Sequence, residues 1–567
     1  MIYRRFKHEG LLYILAFLAA VALRFIQLGA LPLTDAEAIP ALQALRITQA
    51  QDPTLSPHPL YILFTSVLFF LNGEGTNFLA RFIPALMGSF LVLVPLLFSD
   101  NRIKPRSSLF LAFFIALDPG LVSLSRQAAS PILALAFLLF AWGFFEKKKL
   151  NLASVCAALA LLSGPSIWLG LLGLGISWAL MQGINYRRAS DEPSVFSSFT
   201  FTPSSFIPAL ATFLIAGTLF FIVPNGISAA LASIPAFFRS WTFASDVPAG
   251  RLIFSLFMYQ PLGVILAVTA IIRGWWHGSR RIISASVWFM VALLLAVFLP
   301  SRQMDDLVWA LIPLWLLASI ELVRSVDIFE DERIEILGVV ILTGFLWAFT
   351  WLDLSGIVWN PVGTEQYALR FWLLIGAILL YIFSLLLVAA GWSIRIARIG
   401  GVWGLTIVLG IFSLGGAIGS TGLREPPSPE LWTPPLLPMQ ADLLEQTARD
   451  MSEWGVGNDY SASIVIAGLD SPALEWALRR HPVKVVDALD PSSSPEFVIT
   501  PFEDNPVLVS AYRGQDFIWR QTFSWNSMLS SDWLRWIALR EIPLSGENII
   551  LWARSDLFID VPPQTVP

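Results

Sequence analysis

Apolar runs of about 20 residues, the length a helix needs to cross a bilayer core, recur from the N-terminus to about residue 420. Placed by apolar length, they predict spans near 10–29, 77–98, 108–124, 128–145, 151–163, 166–182 and 206–223. Further spans are predicted near 252–272, 283–299, 307–323, 335–352, 368–390 and 400–419, about thirteen in all. The run from Leu60 to Leu71 is too short for a crossing and predicts a re-entrant or surface-lying helix. Ser163-Gly164-Pro165 splits two of the shorter runs.

Basic residues orient the spans, since cytoplasmic loops carry an excess of Lys and Arg. Arg4, Arg5 and Lys7 predict a cytoplasmic N-terminus. Arg102, Lys104 and Arg106, then Lys147-Lys148-Lys149, Arg187-Arg188, Arg273, Arg280 and Arg281, and finally Arg395 and Arg398 keep the alternate loops inside. The external segments are then the first loop (30–76), the loop 224–250 and the hairpin Pro300-Ser-Arg-Gln-Met-Asp-Asp306. The apolar run from Leu11 is too long for a signal-peptide core, so a retained first helix is expected.

The pattern changes after Gly419. Residues 424–440 are proline-rich and read as a stiff linker between a membrane domain (1–423) and a small extracytoplasmic α/β domain (441–567). Helical spacing is expected over 441–454 and 472–480, and strands over 463–467, 483–486 and 497–500. Tryptophans 519, 525, 533, 536 and 552 are expected in a core or against the membrane. No G-x-G-x-x-G turn supports a nucleotide site.

The chain of 567 residues is 56% hydrophobic and 14% charged, far from the roughly 25% charged of soluble domains. A polytopic helical protein of the plasma membrane is therefore expected. A single cysteine, Cys156, excludes an intrachain disulfide, and His8, His58, His277 and His481 have no ligand spacing. Neither a metal, a cofactor nor a nucleic-acid partner is indicated.

Chemistry is sought where charge meets the outer surface. Leu31-Pro-Leu-Thr-Asp-Ala-Glu-Ala-Ile-Pro40 carries Asp35 and Glu37, candidates for a carboxylate base acting on an external acceptor. Thr34-Asp-Ala-Glu37 also matches a capping box, in which Glu37 serves only the helix start; Pro40, six residues on, argues against that helix. Arg46, Arg81, Arg126, Arg239, Arg251 and Arg302 lie near the outer face, against the positive-inside trend, where guanidinium groups can clamp a lipid phosphate. Their alternative is headgroup contact or pairing with Asp35, Asp305 or Asp306. His58 opens the short surface helix, and Arg24, inside the first span, is expected to snorkel outward.

The order of these pieces resembles the GT-C glycosyltransferases, in particular the protein O-mannosyltransferase and lipid A aminoarabinose transferase superfamily (glycosyltransferase family 39-like). The resemblance rests on Leu23-Arg24 through Asp35-Ala-Glu37, on His58-Pro-Leu-Tyr-Ile-Leu, and on Leu79-Ala-Arg81-Phe-Ile-Pro. It continues in Ala116-Leu-Asp-Pro119 through Ser125-Arg126-Gln-Ala-Ala-Ser130, and loosely in Arg302 followed by Leu311-Ile-Pro-Leu. It implies a GT-C fold, a polyprenyl-phosphate-linked sugar as donor and an extracytoplasmic acceptor. Asp35 or Glu37 would be the base, and Arg81, Arg126, Arg239, Arg251, Arg302 and His58 the donor-phosphate ligands. Two departures stand out: Ala36 separates the acids that are adjacent in the family, and Ser130-Pro131 stands where many relatives have an acid. A lipid or polysaccharide transporter and an inactive GT-C-like scaffold are the alternative functions.

Overall fold

A computed structural model describes residues 2–99, 102–187, 206–424, 429–433, 436–502 and 508–558. Arg188, the connection 189–205 and parts of the proline-rich stretch lie outside the described residues, as do the side chains of Arg4, Arg5 and Lys7.

The first helix, Ile2–Phe25, leads into a loop and then the helix Asp35–Thr48. Glu37 accepts from the Thr34 amide and hydroxyl, both at 3.1 Å, so the capping arrangement does form. Pro40 lies inside this helix without ending it. The missing backbone bond costs about 3 kcal/mol, and burial of Ala38, Pro40, Ala41, Leu42 and Ala44 opposes that cost.

Seven helices among the described residues are long and apolar enough to cross a membrane, and up to nine if two bent pairs each count as one span. The chain is thus a multi-span helical membrane protein. Three of the thirteen expected spans form shorter helices, Ile132–Glu146, Leu150–Leu161 and Phe206–Gly217, and Pro59–Asn72 is short as expected. A 14-residue helix such as Pro59–Asn72 rises about 21 Å, against about 30 Å of hydrocarbon.

Both bends are X-Pro breaks. Pro105–Leu117 meets Pro119–Ser125 at 57°, and Ala249–Tyr259 meets Pro261–His277 at 96°. The residue before each proline, Asp118 or Gln260, is pushed out of the helical region. The two breaks face one another: Gln260 Nε2 donates to Asp118 Oδ2 at 3.0 Å, and Trp315 Nε1 donates to the same oxygen at 2.8 Å. Asp118 Oδ1 accepts from the Leu121 amide at 2.7 Å and restarts the helix beyond its break.

Beyond residue 435 a six-stranded mixed sheet forms from β1 (Leu436–Pro438), β2 (Ile464–Ala467), β3 (Val483–Val486), β4 (Phe497–Pro501), β5 (Tyr512–Phe523) and β6 (Leu544–Arg554). Its order is β1-β5-β6-β4-β2-β3. Strands β3 and β4 flank β2 in parallel, while β4–β6, β6–β5 and β5–β1 are antiparallel. Leu436–Pro438, from the stretch read as linker, is thereby one of the two edge strands of the sheet.

This domain does not hang from a tether. One apolar core joins Leu33, Ala38, Ala41, Leu42 and Tyr61 of the first loop and its helices to Ile464, Trp476, Phe497 and Trp519 of the sheet domain. A second joins the helical bundle to Phe523, Trp525 and Trp536. The segment Glu430-Leu431-Trp432 is buried where these parts meet. Glu430 accepts from the Tyr259 hydroxyl, the Leu431 amide donates to that hydroxyl at 2.9 Å, and Trp536 Nε1 donates to the Pro429 carbonyl at 2.7 Å. Trp432 lies over Gly120, where a Cβ would sit 2.8 Å from the indole. Trp432→Ala is expected to remove about 3–5 kcal/mol, read as a lower thermal midpoint in detergent and faster proteolysis between the bundle and the sheet.

Candidate functional site

Glu37 and Arg81 form the most heavily bonded charged pair of the first loop. Arg81 sits on the helix Asn77–Phe90, which Thr76 starts by accepting from the Leu79 amide. Arg81 Nε donates to Glu37 Oε1 and Nη2 to Oε2, each at 2.8 Å, a bidentate fork. The Ala128 amide adds a bond to Oε1 at 3.0 Å. The remaining Arg81 donors go to the carbonyls of Leu28, Leu31 and Pro32, so every N–H of the guanidinium is used. Burial pushes the Glu37 carboxyl up, but Arg81 and the hydrogen bonds from Ala128 and Thr34 outweigh it and hold it below the usual carboxylate value.

Asp35 turns elsewhere. Residues two apart on a helix do not share a face, so Ala36 separates the two acids in direction as well as in sequence. Asp35 Oδ1 accepts from Ser471 Oγ at 2.9 Å and from the Ala473 amide at 3.0 Å, while Arg520 Nη2 donates to Oδ2 at 2.6 Å. All three partners belong to the sheet domain. Arg46 pairs with Glu475 and Arg480 with Glu74 across the same contact.

The other arginines divide sharply. Arg126 donates to the carbonyls of Leu23, Arg24, Ile26, Gln27 and Thr421, neutralising the carbonyl end of the first helix. Arg24 does not snorkel outward. It is fully buried and donates to Ser125 Oγ and to the carbonyls of Ala20, Ile115 and Ala116, next to the Asp118 break. Arg251 donates to Asn526 of the sheet domain. Arg239 and Arg302 have no side-chain partner among the described residues, and Arg302 Nε is buried without one. Arg302 therefore pairs with neither Asp305 nor Asp306.

A cavity of about 220 Å³ is lined by Ser240, Ser301 and Gln303, the chain neighbours of these two arginines, but by neither arginine itself. His58, Ser163, Ser166, Ser240, Ser301, Gln303, Asp305 and Asp306 supply its polar wall, and Ala129, Pro131, Leu169 and Phe237 contribute to its apolar one. Neither Asp35 nor Glu37 lines it. Glu37 is one residue removed, through the Ala128 amide that it binds and the neighbouring Ala129. Gly164, at φ +122°, lets the chain turn against His58: a Cβ there would lie 2.5 Å from the ring. Leu60 N donates to the Leu162 carbonyl at 3.0 Å and ties the short helix to the same break. On the opposite side Ser301 N bonds the Ser240 carbonyl at 3.1 Å, joining the Pro300 hairpin to the residue after Arg239. Burial pushes the His58 imidazole down to about 4, so it is uncharged near neutral pH and offers a hydrogen bond rather than a charge.

Position at the predicted outer face singles out His58, Arg239 and Arg302, but reads Asp305 and Asp306 only as partners for arginines. The signals for the cavity were the Ser163-Gly164-Pro165 break and the polar hairpin, which only the fold brings together.

Glu37→Gln removes the charge opposite a saturated, buried guanidinium. A loss of about 3–5 kcal/mol is expected, seen as a lower thermal midpoint in detergent. His58 generates a pH dependence of opposite origin. Its folded value lies below the usual value of about 6.5, so the unfolded state takes up the proton first as pH falls. The His58 contribution is intact above about pH 6.5 and is lost as pH falls towards about 4. His58→Gln should flatten the midpoint-versus-pH curve in that window.

No family model and no curated protein matches the chain. Solved structures similar to it include ArnT from Cupriavidus metallidurans bound to undecaprenyl phosphate, at 16% identity and a TM-score of 0.49 over 84% of this chain and 86% of that one. The same enzyme in its apo state gives 14% identity and 0.47. The Archaeoglobus fulgidus oligosaccharyltransferase in its apo form gives 12% identity and 0.43, over 84% of this chain and 64% of that chain.

Proposed function

We propose that the chain is a membrane glycosyltransferase of GT-C type, moving a sugar from a polyprenyl-phosphate-linked donor to an extracytoplasmic acceptor. The observation that carries this reading is the cavity, which joins His58, from the second block of the family resemblance, to the hairpin of Arg302, from the last. Arg302 and Arg239, without side-chain partners among the described residues and next in sequence to the lining residues Ser301 and Ser240, are the cations this reading assigns to the donor phosphate. His58 supplies a neutral donor or acceptor. Arg81, Arg126 and Arg251 shape the site through protein contacts rather than by touching phosphate, and Asp35 and Glu37 fix the loop that backs it. In this reading the N-terminus is cytoplasmic, and the domain of residues 441–567 stands outside with the cavity.

A second reading, an inactive GT-C-like scaffold, is favoured by one observation: both first-loop carboxylates are occupied by protein donors. The two readings separate in one assay. Purified protein is given undecaprenyl phosphate carrying a radiolabelled sugar, with a membrane extract as the source of acceptors. The transferase reading expects label to leave the lipid, with kcat/KM reduced about 10- to 100-fold in Arg302→Ala, the cost of one charge-assisted contact. No transfer by the wild-type protein, with the lipid still bound, establishes the scaffold instead.

A further inference from the structure

We infer that Asp305 is the general base of the transfer, a catalytic role the first-loop acids are not free to take. The inference rests on the transferase reading above. A base must keep an acceptor lone pair open towards substrate, and the carboxylates around the loop and cavity differ in this respect. Glu37 accepts from Arg81, Thr34 and Ala128. Asp35 accepts from Ser471, Ala473 and Arg520. Asp306 lines the cavity but closes its own turn, with Oδ2 accepting from the Gln303 amide at 2.8 Å. Asp305 lines the same cavity, and among the described residues its carboxylate accepts only from its own backbone amide, which leaves its other lone pairs open.

Its support is rigid. The turn Met304–Leu307 runs directly into the helix Val308–Leu322, most of which is buried. Trp309, one helical turn beyond, donates from Nε1 to Ser166 Oγ at 3.1 Å and packs on Gly170, where a Cβ would lie 2.3 Å from the indole. Ser166 also lines the cavity, so the wall that carries Asp305 is pinned to the wall opposite. Other polar groups line the same cavity: the neighbouring acid Asp306, uncharged His58, the hydroxyls of Ser163, Ser240 and Ser301, and Gln303. Buried Ser130 Oγ, which has no partner among the described residues, belongs to the residue between Ala129 and Pro131 of the lining.

The step balances without a further reagent. An acceptor hydroxyl in the cavity gives its proton to an Asp305 Oδ as its oxygen bonds to the anomeric carbon of the donor sugar. The bond from that carbon to the phosphate oxygen breaks, and the electron pair leaves with the polyprenyl phosphate. The leaving group gains negative charge, which Arg302 and Arg239 stabilise. The acceptor is thus a hydroxyl on a group small enough to enter the cavity, such as one sugar or side-chain alcohol.

The test uses the full-length protein in detergent, the labelled undecaprenyl-phosphate sugar, and quenching of tryptophan fluorescence by unlabelled undecaprenyl phosphate. Asp305→Asn should lower kcat by about 100-fold or more, abolish the acidic limb of the rate–pH profile, and leave the Kd for undecaprenyl phosphate unchanged. Asp305→Glu should restore part of the rate. A wild-type rate in Asp305→Asn overturns the assignment while leaving the transferase reading intact. An equal loss of rate, lipid binding and thermal midpoint shows a structural role and overturns it as well. No transfer by the wild-type protein overturns the transferase reading, and the base with it.

Discussion

The bidentate pairing of Arg81 with Glu37 fixes the geometry of the first loop. A carboxylate buried this deeply is stable as an anion only when its lone pairs are filled, and a buried guanidinium likewise needs its N–H groups used. Glu37 meets that demand with the Thr34 amide and hydroxyl, the Ala128 amide and Arg81, and Arg81 spends its remaining donors on the loop carbonyls. The end of the first helix, the first-loop helix, the helix Asn77–Phe90 and the chain leading to the cavity wall are thus held by one network. These are the segments whose order along the chain resembles the GT-C blocks. Their spacing reflects a shared electrostatic knot as much as a set of separate substrate contacts.

The sheet domain is built on top of that knot. Asp35, one residue beyond the Thr34 cap, is aimed away from Glu37 by helix geometry and anchors Ser471, Ala473 and Arg520. The apolar core beneath is common to both parts, so the domain and the loop order each other. Further along, Glu430 and Trp432 enter the bundle beside the two proline breaks. There Asp118 satisfies the helix start after its own break, an amide from the second break, and an indole from a third helix. A buried acid at that position keeps two bent helices in register where apolar packing alone leaves open backbone groups.

The cavity lies outside this saturated framework. Its polar groups come from three chain turns: the approach to the helix Pro59–Asn72, the Ser163-Gly164-Pro165 break, and the hairpin after Pro300. Each turn exposes groups that a continuous helix would consume internally. Among the described residues Arg239 and Arg302 have no side-chain partner, whereas Arg24, Arg81 and Arg126 are bound to protein carbonyls or carboxylates.

Much of the fold was legible in the chain. Apolar run length marked the membrane helices, and its shortfall at residues 60–71 marked the short helix Pro59–Asn72. Short runs of β-branched and aromatic residues located β2, β3 and β4 almost to the residue. They missed β1, hidden among prolines, and the long antiparallel pair β5 and β6, whose tryptophans read equally as core or membrane contacts. Four apolar runs that read as spans or surface segments proved shorter than a crossing, since hydropathy does not mark where a cap or proline ends a helix. At the site, sequence selected the right residue types but not their use. Whether a carboxylate or guanidinium is free for chemistry depends on how many donors or acceptors the fold brings within about 3 Å. For Glu37 and Asp35 those partners come from as far along the chain as Ala128 and Arg520. Sequence by itself determined a membrane bundle carrying an α/β domain and a set of boundary charges. The tertiary structure decided which of those charges are spent on holding it together, because hydrogen-bond saturation is a property of neighbours in space.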